Sequence, residues 1–130
     1  MTAPTILVVD DDPDVRDVAA CALRDVGYTV LEAATGQEAM TTFEAHREID
    51  LIFTDIAMPG IDGFKVADCA KLRRPEVKIL YATAFASRAG DYLGVVHGRI
   101  LSKPYRPDAL VAAVHQVLDC PVGAPVGSPP

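Results

Sequence analysis

Four short apolar runs in this chain each lead, within two residues, into polar residues that can take part in chemistry. A continuous apolar run of this length is typical of a parallel strand that is buried on both faces. The carboxyl ends of parallel strands lie along one edge of a sheet, and ligands of open α/β sheets bind at that edge. The runs and the residues they lead into are Ile6–Val9 with Asp10 and Asp11, Leu51–Phe53 with Asp55, Ile79–Ala82 with Thr83, and Ile100–Leu101 with Lys103. We therefore expect these side chains to converge on one site.

Helix signals separate the apolar runs, so strands and helices alternate along the chain. Asp12-Pro13 has the pattern of a helix cap and a first helical residue, and Thr35 begins a capping-box pattern. The predicted strands are Thr5–Val9, Tyr28–Ala33, Ile49–Thr54, Val77–Thr83 and Arg99–Ser102, and the predicted helices lie within residues 13–26, 36–46, 64–72, 87–97 and 107–118. This alternation, with right-handed crossovers, predicts a doubly wound, flavodoxin-like α/β fold with five helices and a five-stranded parallel sheet of order 2-1-3-4-5.

The first predicted helix shows its apolar face most clearly. Its apolar residues recur at helical spacing, which predicts a stripe packed against the sheet. The residues of this predicted stripe are Val15, Val18, Ala19, Ala22, Leu23 and Val26.

Length, charge and cysteine usage limit the classes of protein that this chain can belong to. Its 130 residues are the size of a single domain, which we place at residues 1–119, with a disordered Pro/Gly-rich tail at 120–130. The net charge is −6 and Lys and Arg are not clustered, so direct binding to nucleic acid is not expected. No apolar run approaches the roughly 20 residues that span a bilayer. The first residues do not resemble a signal peptide, and no C-x-x-C pair is present, so we expect a cytoplasmic protein with free thiols.

The acidic residues at the predicted edge of the sheet favour a metal site. Asp10 and Asp11 follow the first strand, and Asp55 follows a neighbouring strand. Crowded carboxylates repel one another unless a cation neutralises them. Mg²⁺ prefers such hard oxygen ligands and retains several waters, so one carboxylate can act through water. The alternative is that Asp10 and Asp11 are only helix-capping and surface acids.

Asp55, Thr83 and Lys103 together suggest phosphoryl transfer. A carboxylate can act as a nucleophile and form an aspartyl phosphate. A lysine ammonium can neutralise phosphoryl oxygens, and a threonine hydroxyl can donate a hydrogen bond to one. Taken singly, Thr83 is an ordinary strand residue and Lys103 an ordinary solvated lysine. Their shared position at successive strand ends favours the functional interpretation, and a cis bond between Lys103 and Pro104 would help to aim the lysine.

Four segments in this order carry a resemblance to a known family. These segments are Ile6–Pro13, Asp55–Gly63, Tyr81–Ala84 and Leu101–Tyr105. Over about residues 4–119 the chain resembles the receiver domain of bacterial two-component response regulators. The resemblance implies a signalling domain and not a conventional multiple-turnover enzyme. It also implies a phosphohistidine donor on a histidine kinase or histidine phosphotransfer protein.

The resemblance also implies a role for each site residue. Asp55 would be the phosphoacceptor. Mg²⁺ would be bound directly by Asp11, Asp55 and the backbone carbonyl of Ala57, with Asp10 acting through water. Thr83 and Lys103 would contact the phosphoryl group. Phosphorylation would then shift a protein-binding surface formed by the fourth helix, the fifth strand and the last helix, in a monomer or a phosphorylation-dependent dimer.

The chain departs from the pattern of this family in two respects. Ile100 stands three residues before Lys103, where receivers usually carry Tyr or Phe. The aromatic residues that could take over the role of that ring are Tyr81, Phe85, Tyr92 and Tyr105. The second departure concerns Ala57 and Phe85. In this family the side chains at these two positions border the path of the water that attacks the phosphorylated aspartate. Ala57 cannot orient a water and Phe85 is bulky, so we expect phosphorylated Asp55 to hydrolyse slowly.

Other interpretations of the same residues remain open at this stage. A haloacid-dehalogenase-type phosphatase would use Asp10 and Asp12 after the first strand, but this leaves the segment after Asp55 unexplained. A pseudo-receiver would bind partners without phosphorylation, although such modules usually lose part of the acidic set. A receiver could stand alone, shuttle phosphate in a relay or belong to a hybrid histidine kinase. The native-looking start at Met1 favours a stand-alone protein, whose downstream target the sequence does not identify.

Overall fold

The computed structural model describes residues 3–84 and 96–119. Within these residues the chain forms five strands and four helices. The strands are β1 (Thr5–Val9), β2 (Thr29–Ala33), β3 (Ile49–Asp55), β4 (Lys78–Thr83) and β5 (Gly98–Ser102), and the helices are α1 (Pro13–Asp25), α2 (Gly36–Ala45), α3 (Gly63–Arg73) and α4 (Pro107–Asp119). These bounds agree with the predicted elements to within one or two residues.

The five strands form one parallel sheet of order β2-β1-β3-β4-β5. This order confirms the predicted doubly wound, flavodoxin-like fold. Four of the five predicted helices lie among the described residues. The remaining one, placed within residues 87–97, lies outside them except for Val96 and His97, which directly precede β5. The predicted tail at 120–130 also lies outside the described residues.

Two hydrophobic layers cover the two faces of the sheet. In β1, Leu7 and Val9 contribute to one layer, whereas Ile6 and Val8 contribute to the other. Side chains alternate between faces along a strand, so a strand covered on both faces is apolar throughout. This explains why β1 appears in the sequence as an uninterrupted apolar run with all five residues buried. Helices α2 and α3 cover the first face, and α1 and α4 cover the second.

Helices α1 and α2 begin at the caps that the sequence predicts. The Asp12 carboxylate accepts hydrogen bonds from the N–H groups of Asp14 and Val15 at the start of α1. The Thr35 hydroxyl accepts one from Glu38 N–H at the start of α2. Such caps satisfy backbone donors that have no partner inside the helix. Local sequence therefore fixes where the chain enters these two helices.

The predicted apolar face of α1 is wrong at two positions. Val18 and Val26 are 53% and 55% exposed, whereas Ala20, which was not predicted to face the sheet, is fully buried. Val18 lies five residues before Leu23, about 140° away around the helix. Val26 is the C-terminal cap of α1 and lies beyond its last turn. The helix therefore packs on the sheet through the narrower stripe of Ala19, Ala20 and Leu23.

Candidate functional site

Four predicted site residues lie at the carboxyl-terminal edge of the sheet. Asp10 follows β1, Asp55 ends β3, Thr83 ends β4 and Lys103 follows β5. The register places Asp55 beside Ala82 and Thr83 beside Ser102, so the ends of β3, β4 and β5 lie side by side. The parallel strands thus bring together residues that are far apart in the sequence.

Three carboxylates form a compact acidic cluster at this edge. One oxygen each of Asp10, Asp11 and Asp55 lie within 4.8 Å of one another. Asp10 and Asp55 are only 4% and 7% exposed, and Asp11 is exposed. Burial raises the pKa of Asp55, Lys103 opposes that rise, and the negative charges of Asp10 and Asp11 add to it. Hard oxygen donors at this spacing, open to solvent on the side of Asp11, fit a divalent cation such as Mg²⁺.

The Lys103 ammonium bridges the two buried carboxylates. Its Nζ lies 3.0 Å from Asp10 Oδ2 and 3.2 Å from Asp55 Oδ2. Burial of Lys103 lowers its pKa, but the hydrogen bond to Asp10 and the two negative charges outweigh that effect and raise the pKa overall. Lys103 is therefore a fixed positive charge at neutral pH. It partly neutralises the acidic cluster and stands next to the oxygen of Asp55.

Backbone and side-chain contacts hold the loop after β1. The Asp10 N–H donates to the carbonyl of Ala33, which extends the pairing of β1 with β2 by one residue. Asp10 Oδ1 accepts a 2.9 Å hydrogen bond from Asp12 N–H. The Arg16 guanidinium donates to the Asp10 carbonyl oxygen at 2.8 Å and lies beside Glu32. No local sequence motif marks Arg16 as a site residue, because only the fold brings α1 and β2 together around Asp10.

The loop after β3 is held against the sheet at both ends. The Ile56 N–H donates to the Ala82 carbonyl, and the Gly63 N–H donates to the Ile56 carbonyl, both at 2.9 Å. A Cβ atom at Gly63 would lie 2.9 Å from Ile56 Cα, so only glycine fits here without a shift of the loop. Ala57 lies in this loop with an exposed side chain. The role of its carbonyl as a metal ligand stays a prediction.

The ends of β4 and β5 are joined through the main chain. The Lys103 N–H donates to the Thr83 carbonyl at 2.8 Å, and the Thr83 side chain is buried. The peptide bond between Lys103 and Pro104 is cis, as the sequence allows. Thr83 therefore stands at the same edge as Asp55 and Lys103, while the contact of its hydroxyl with a phosphoryl group stays a prediction.

The candidate aromatic residues occupy different places. Tyr81 is fully buried in the layer under α2 and α3, and Ile100 pairs with it in register. Tyr105 is half-buried, with its ring edge-on to Phe53 at a centroid distance of 5.6 Å. Burial and the charges of Asp10 and Asp55 raise the pKa of Tyr105. The two other candidates, Phe85 and Tyr92, lie outside the described residues.

Comparison with known proteins identifies the family. A sequence model of the response regulator receiver domain matches residues 6–115. The chain belongs to this family. Receiver domains are signalling domains of two-component systems, so the resemblance noted in the sequence is confirmed.

Sequence relatives of this receiver domain are longer proteins. It is 35% identical over 124 residues to the phosphate regulon transcriptional regulatory protein PhoB of Pseudomonas aeruginosa, covering 91% of this chain and 53% of that protein. The receiver domain spans about half the length of the curated relatives it matches.

Solved structures confirm the receiver fold. The response regulator TrrA of Thermotoga maritima, solved in complex with Mg²⁺-BeF, superposes with a TM-score of 0.80 at 32% identity, covering 88% of this chain and 98% of that one. The receiver domain of the hybrid histidine kinase CckA gives a TM-score of 0.73 at 35% identity, covering 88% and 99%. Within residues 3–84 and 96–119, this receiver domain contains no helix with the length and hydrophobicity to cross a bilayer.

Proposed function

We propose that this receiver domain accepts a phosphoryl group onto Asp55 from a phosphohistidine donor, in a Mg²⁺-dependent reaction. The observation that carries this proposal is the position of the Asp55 carboxylate. It lies 3.2 Å from the Lys103 ammonium and within the acidic cluster, at the edge of the sheet where ligands of this fold bind. The donor belongs to a histidine kinase or a histidine phosphotransfer protein.

The transfer step requires a nucleophile and a fixed positive charge. An oxygen of the Asp55 carboxylate attacks the phosphorus atom, a P–O bond forms, and the P–N bond of the phosphohistidine breaks. The electron pair of that bond stays on the imidazole nitrogen, which takes up a proton. Lys103 neutralises charge on the phosphoryl oxygens and favours the ionised, nucleophilic form of Asp55. The Thr83 hydroxyl donates a hydrogen bond to a phosphoryl oxygen.

The acidic cluster is the proposed metal site. Asp11, Asp55 and the Ala57 carbonyl would hold Mg²⁺ directly, and Asp10 would act through water. The spacing of the three carboxylates and the solvent exposure of Asp11 support this assignment. When bound, Mg²⁺ supplies positive charge that stabilises the oxygens of the transferring phosphoryl group.

The proposed output is a change in a protein-binding surface. The described part of this surface consists of β5 (Gly98–Ser102) at the edge of the sheet, which directly precedes Lys103, and α4, which begins at Pro107. Phosphorylation shifts this surface between two states that a downstream protein distinguishes. Each transfer modifies the domain itself, so it does not act as a conventional multiple-turnover enzyme. The domain extends over residues 1–119 and works as a monomer or as a phosphorylation-dependent dimer.

Phosphorylation by acetyl phosphate in the presence of Mg²⁺ tests the proposal. We expect the wild type to gain one phosphoryl group, observed by intact-mass measurement, and Asp55→Asn to gain none. Asp25→Asn, an exposed change at the end of α1, is the matched control and should behave as the wild type. Labelling of Asp55→Asn, or labelling of the wild type that does not depend on Mg²⁺, would contradict the proposal.

The alternatives differ in their support. The likeness to the receiver of CckA favours a receiver of a hybrid kinase as a second architecture, whereas the likeness to PhoB favours a response regulator. The phosphatase alternative is disfavoured because the Asp12 carboxylate caps α1. Steady turnover of an aryl phosphate would favour the phosphatase. A pseudo-receiver would show no phosphorylation at Asp55.

A further inference from the structure

We infer that Arg16 is a positioning residue for the acidic cluster and acts through the backbone carbonyl of Asp10. This inference rests on the proposed Mg²⁺ site. Arg16 lies in the first turn of α1, where its Nη1 donates a 2.8 Å hydrogen bond to the Asp10 carbonyl oxygen. Its Nε lies 3.5 Å from Glu32 Oε1 on β2. The guanidinium thus ties the acidic loop after β1 to the neighbouring strand.

The carbonyl that Arg16 holds belongs to the peptide bond between Asp10 and Asp11. Because a peptide unit is planar, fixing its oxygen also fixes the direction in which the chain continues to Asp11. This hydrogen bond therefore contributes to the relative placement of the two carboxylates. Asp10 is also held by its own N–H and by Asp12 N–H, whereas Asp11 is exposed. Loss of the Arg16 contact should disturb Asp11 most.

Glu32 contacts two arginines, and each of these arginines also contacts a different backbone carbonyl. Arg16 reaches from Glu32 to the Asp10 carbonyl, whereas Arg24 reaches from Glu32, at 3.3 Å, to the Val30 carbonyl at 3.0 Å. The side chains of Arg16 and Glu32 are 19% and 32% exposed, and that of Arg24 is 45% exposed. The two arginines thus share a charge, a partner and a helix. Only Arg16 touches the proposed site, which makes Arg24 a matched control.

The positive charge of Arg16 and its positioning role predict opposite effects on Mg²⁺ affinity when Arg16 is removed. A positive charge beside a cation site repels the cation, so the loss of that charge alone would tighten Mg²⁺ binding. The loss of a hydrogen bond that orients ligands weakens metal binding, by about 10-fold or more for groups directly behind metal ligands. A weaker Mg²⁺ affinity in Arg16→Gln therefore identifies positioning as the dominant role.

The test is isothermal titration calorimetry of the full chain with MgCl₂. We expect Arg16→Gln to raise the Kd for Mg²⁺ about 10-fold, and Arg24→Gln to leave the Kd within about twofold of wild type, since it has no contact with the ligands. Arg16→Lys keeps the charge but has a single ammonium in place of the fork that reaches both Asp10 and Glu32. It should also weaken binding. Far-ultraviolet circular dichroism checks that each variant is folded.

Two results would overturn the inference. One is a Kd of Arg16→Gln and Arg16→Lys that equals or falls below the wild-type Kd. The other is an equal weakening of Mg²⁺ binding in Arg16→Gln and Arg24→Gln. That result would mean that both arginines act only through their shared partner Glu32 and general stability. A different set of results would contradict the proposed Mg²⁺ site rather than the role of Arg16. If the wild type binds no Mg²⁺, or if Asp11→Asn leaves Mg²⁺ binding unchanged, then the metal site itself is wrong.

Discussion

The Tyr81 hydroxyl accepts a 3.1 Å hydrogen bond from the backbone N–H of His97. The Tyr81 ring is fully buried, with its centroid 5.2 Å from that of Phe64 on α3. The imidazole of His97 in turn lies 2.8 Å from Asp68 Oδ1 on the same helix. The segment that enters β5 is therefore joined to both β4 and α3. Tyr81 is a structural residue of this junction and lies next to Ile100 in the sheet.

The Tyr81→Phe change tests this structural role. The change removes the acceptor of the His97 N–H but keeps the ring, so the free energy of unfolding should fall by about 1 kcal/mol. Urea denaturation followed by circular dichroism measures it. Phosphorylation by acetyl phosphate should be unchanged, because the hydroxyl lies outside the acidic cluster. Tyr28→Phe, a half-buried tyrosine near the end of α1, serves as the control. An equal loss in both variants would argue against a special role for the Tyr81 contact.

A second prediction concerns Lys103, which neutralises the two buried carboxylates. Lys103→Gln leaves Asp10 and Asp55 without their positive partner, so stability without metal should fall by about 1–3 kcal/mol at neutral pH. A divalent cation can replace the missing charge, so added MgCl₂ should stabilise this variant more than the wild type. Thermal unfolding with and without MgCl₂ measures both effects. Lys65→Gln, an exposed change on α3, should show neither effect. Equal stabilisation of Lys103→Gln and wild type by Mg²⁺ would contradict the explanation.

A third prediction concerns the close packing of Gly63 against the loop that follows Asp55. In Gly63→Ala the new Cβ would lie 2.9 Å from Ile56 Cα, and the loop must shift to make room. Overpacking of this kind costs about 1–3 kcal/mol, and the shift should also slow phosphorylation of Asp55. The control is Gly27→Ala, where a positive φ of 101° strains alanine far from the site. Both variants should lose stability, but only Gly63→Ala should lose phosphorylation rate in acetyl phosphate assays.

The sequence predicts features that are encoded locally and misses those that depend on packing. The caps at Asp12 and Thr35 and the apolar run of β1 are properties of a few adjacent residues, and each prediction is confirmed. The meeting of Asp10 with Lys103 could also be predicted, because parallel strands always bring their carboxyl ends together.

Features that depend on how helices and strands pack were predicted less well. The exposure of Val18 follows from how α1 rotates against the sheet, which helical spacing alone does not specify. The contact of Arg16 with Glu32 joins a helix to a neighbouring strand, and no local motif marks it. For the same reason the sequence indicated Tyr81 as one of four candidate aromatic residues but gave no sign of its partner His97.

The last prediction concerns the lifetime of phosphorylated Asp55. Ala57 lies two residues after Asp55 with an exposed methyl group that cannot orient an attacking water. An amide at this position can hydrogen-bond such a water, so Ala57→Asn should dephosphorylate several-fold faster than the wild type. The measurement is loss of the phosphorylated mass over time with Mg²⁺ present, after removal of acetyl phosphate. Ala45→Asn, an exposed change at the end of α2, should decay at the wild-type rate. If the wild type decays as fast as Ala57→Asn or faster, then Ala57 does not limit hydrolysis.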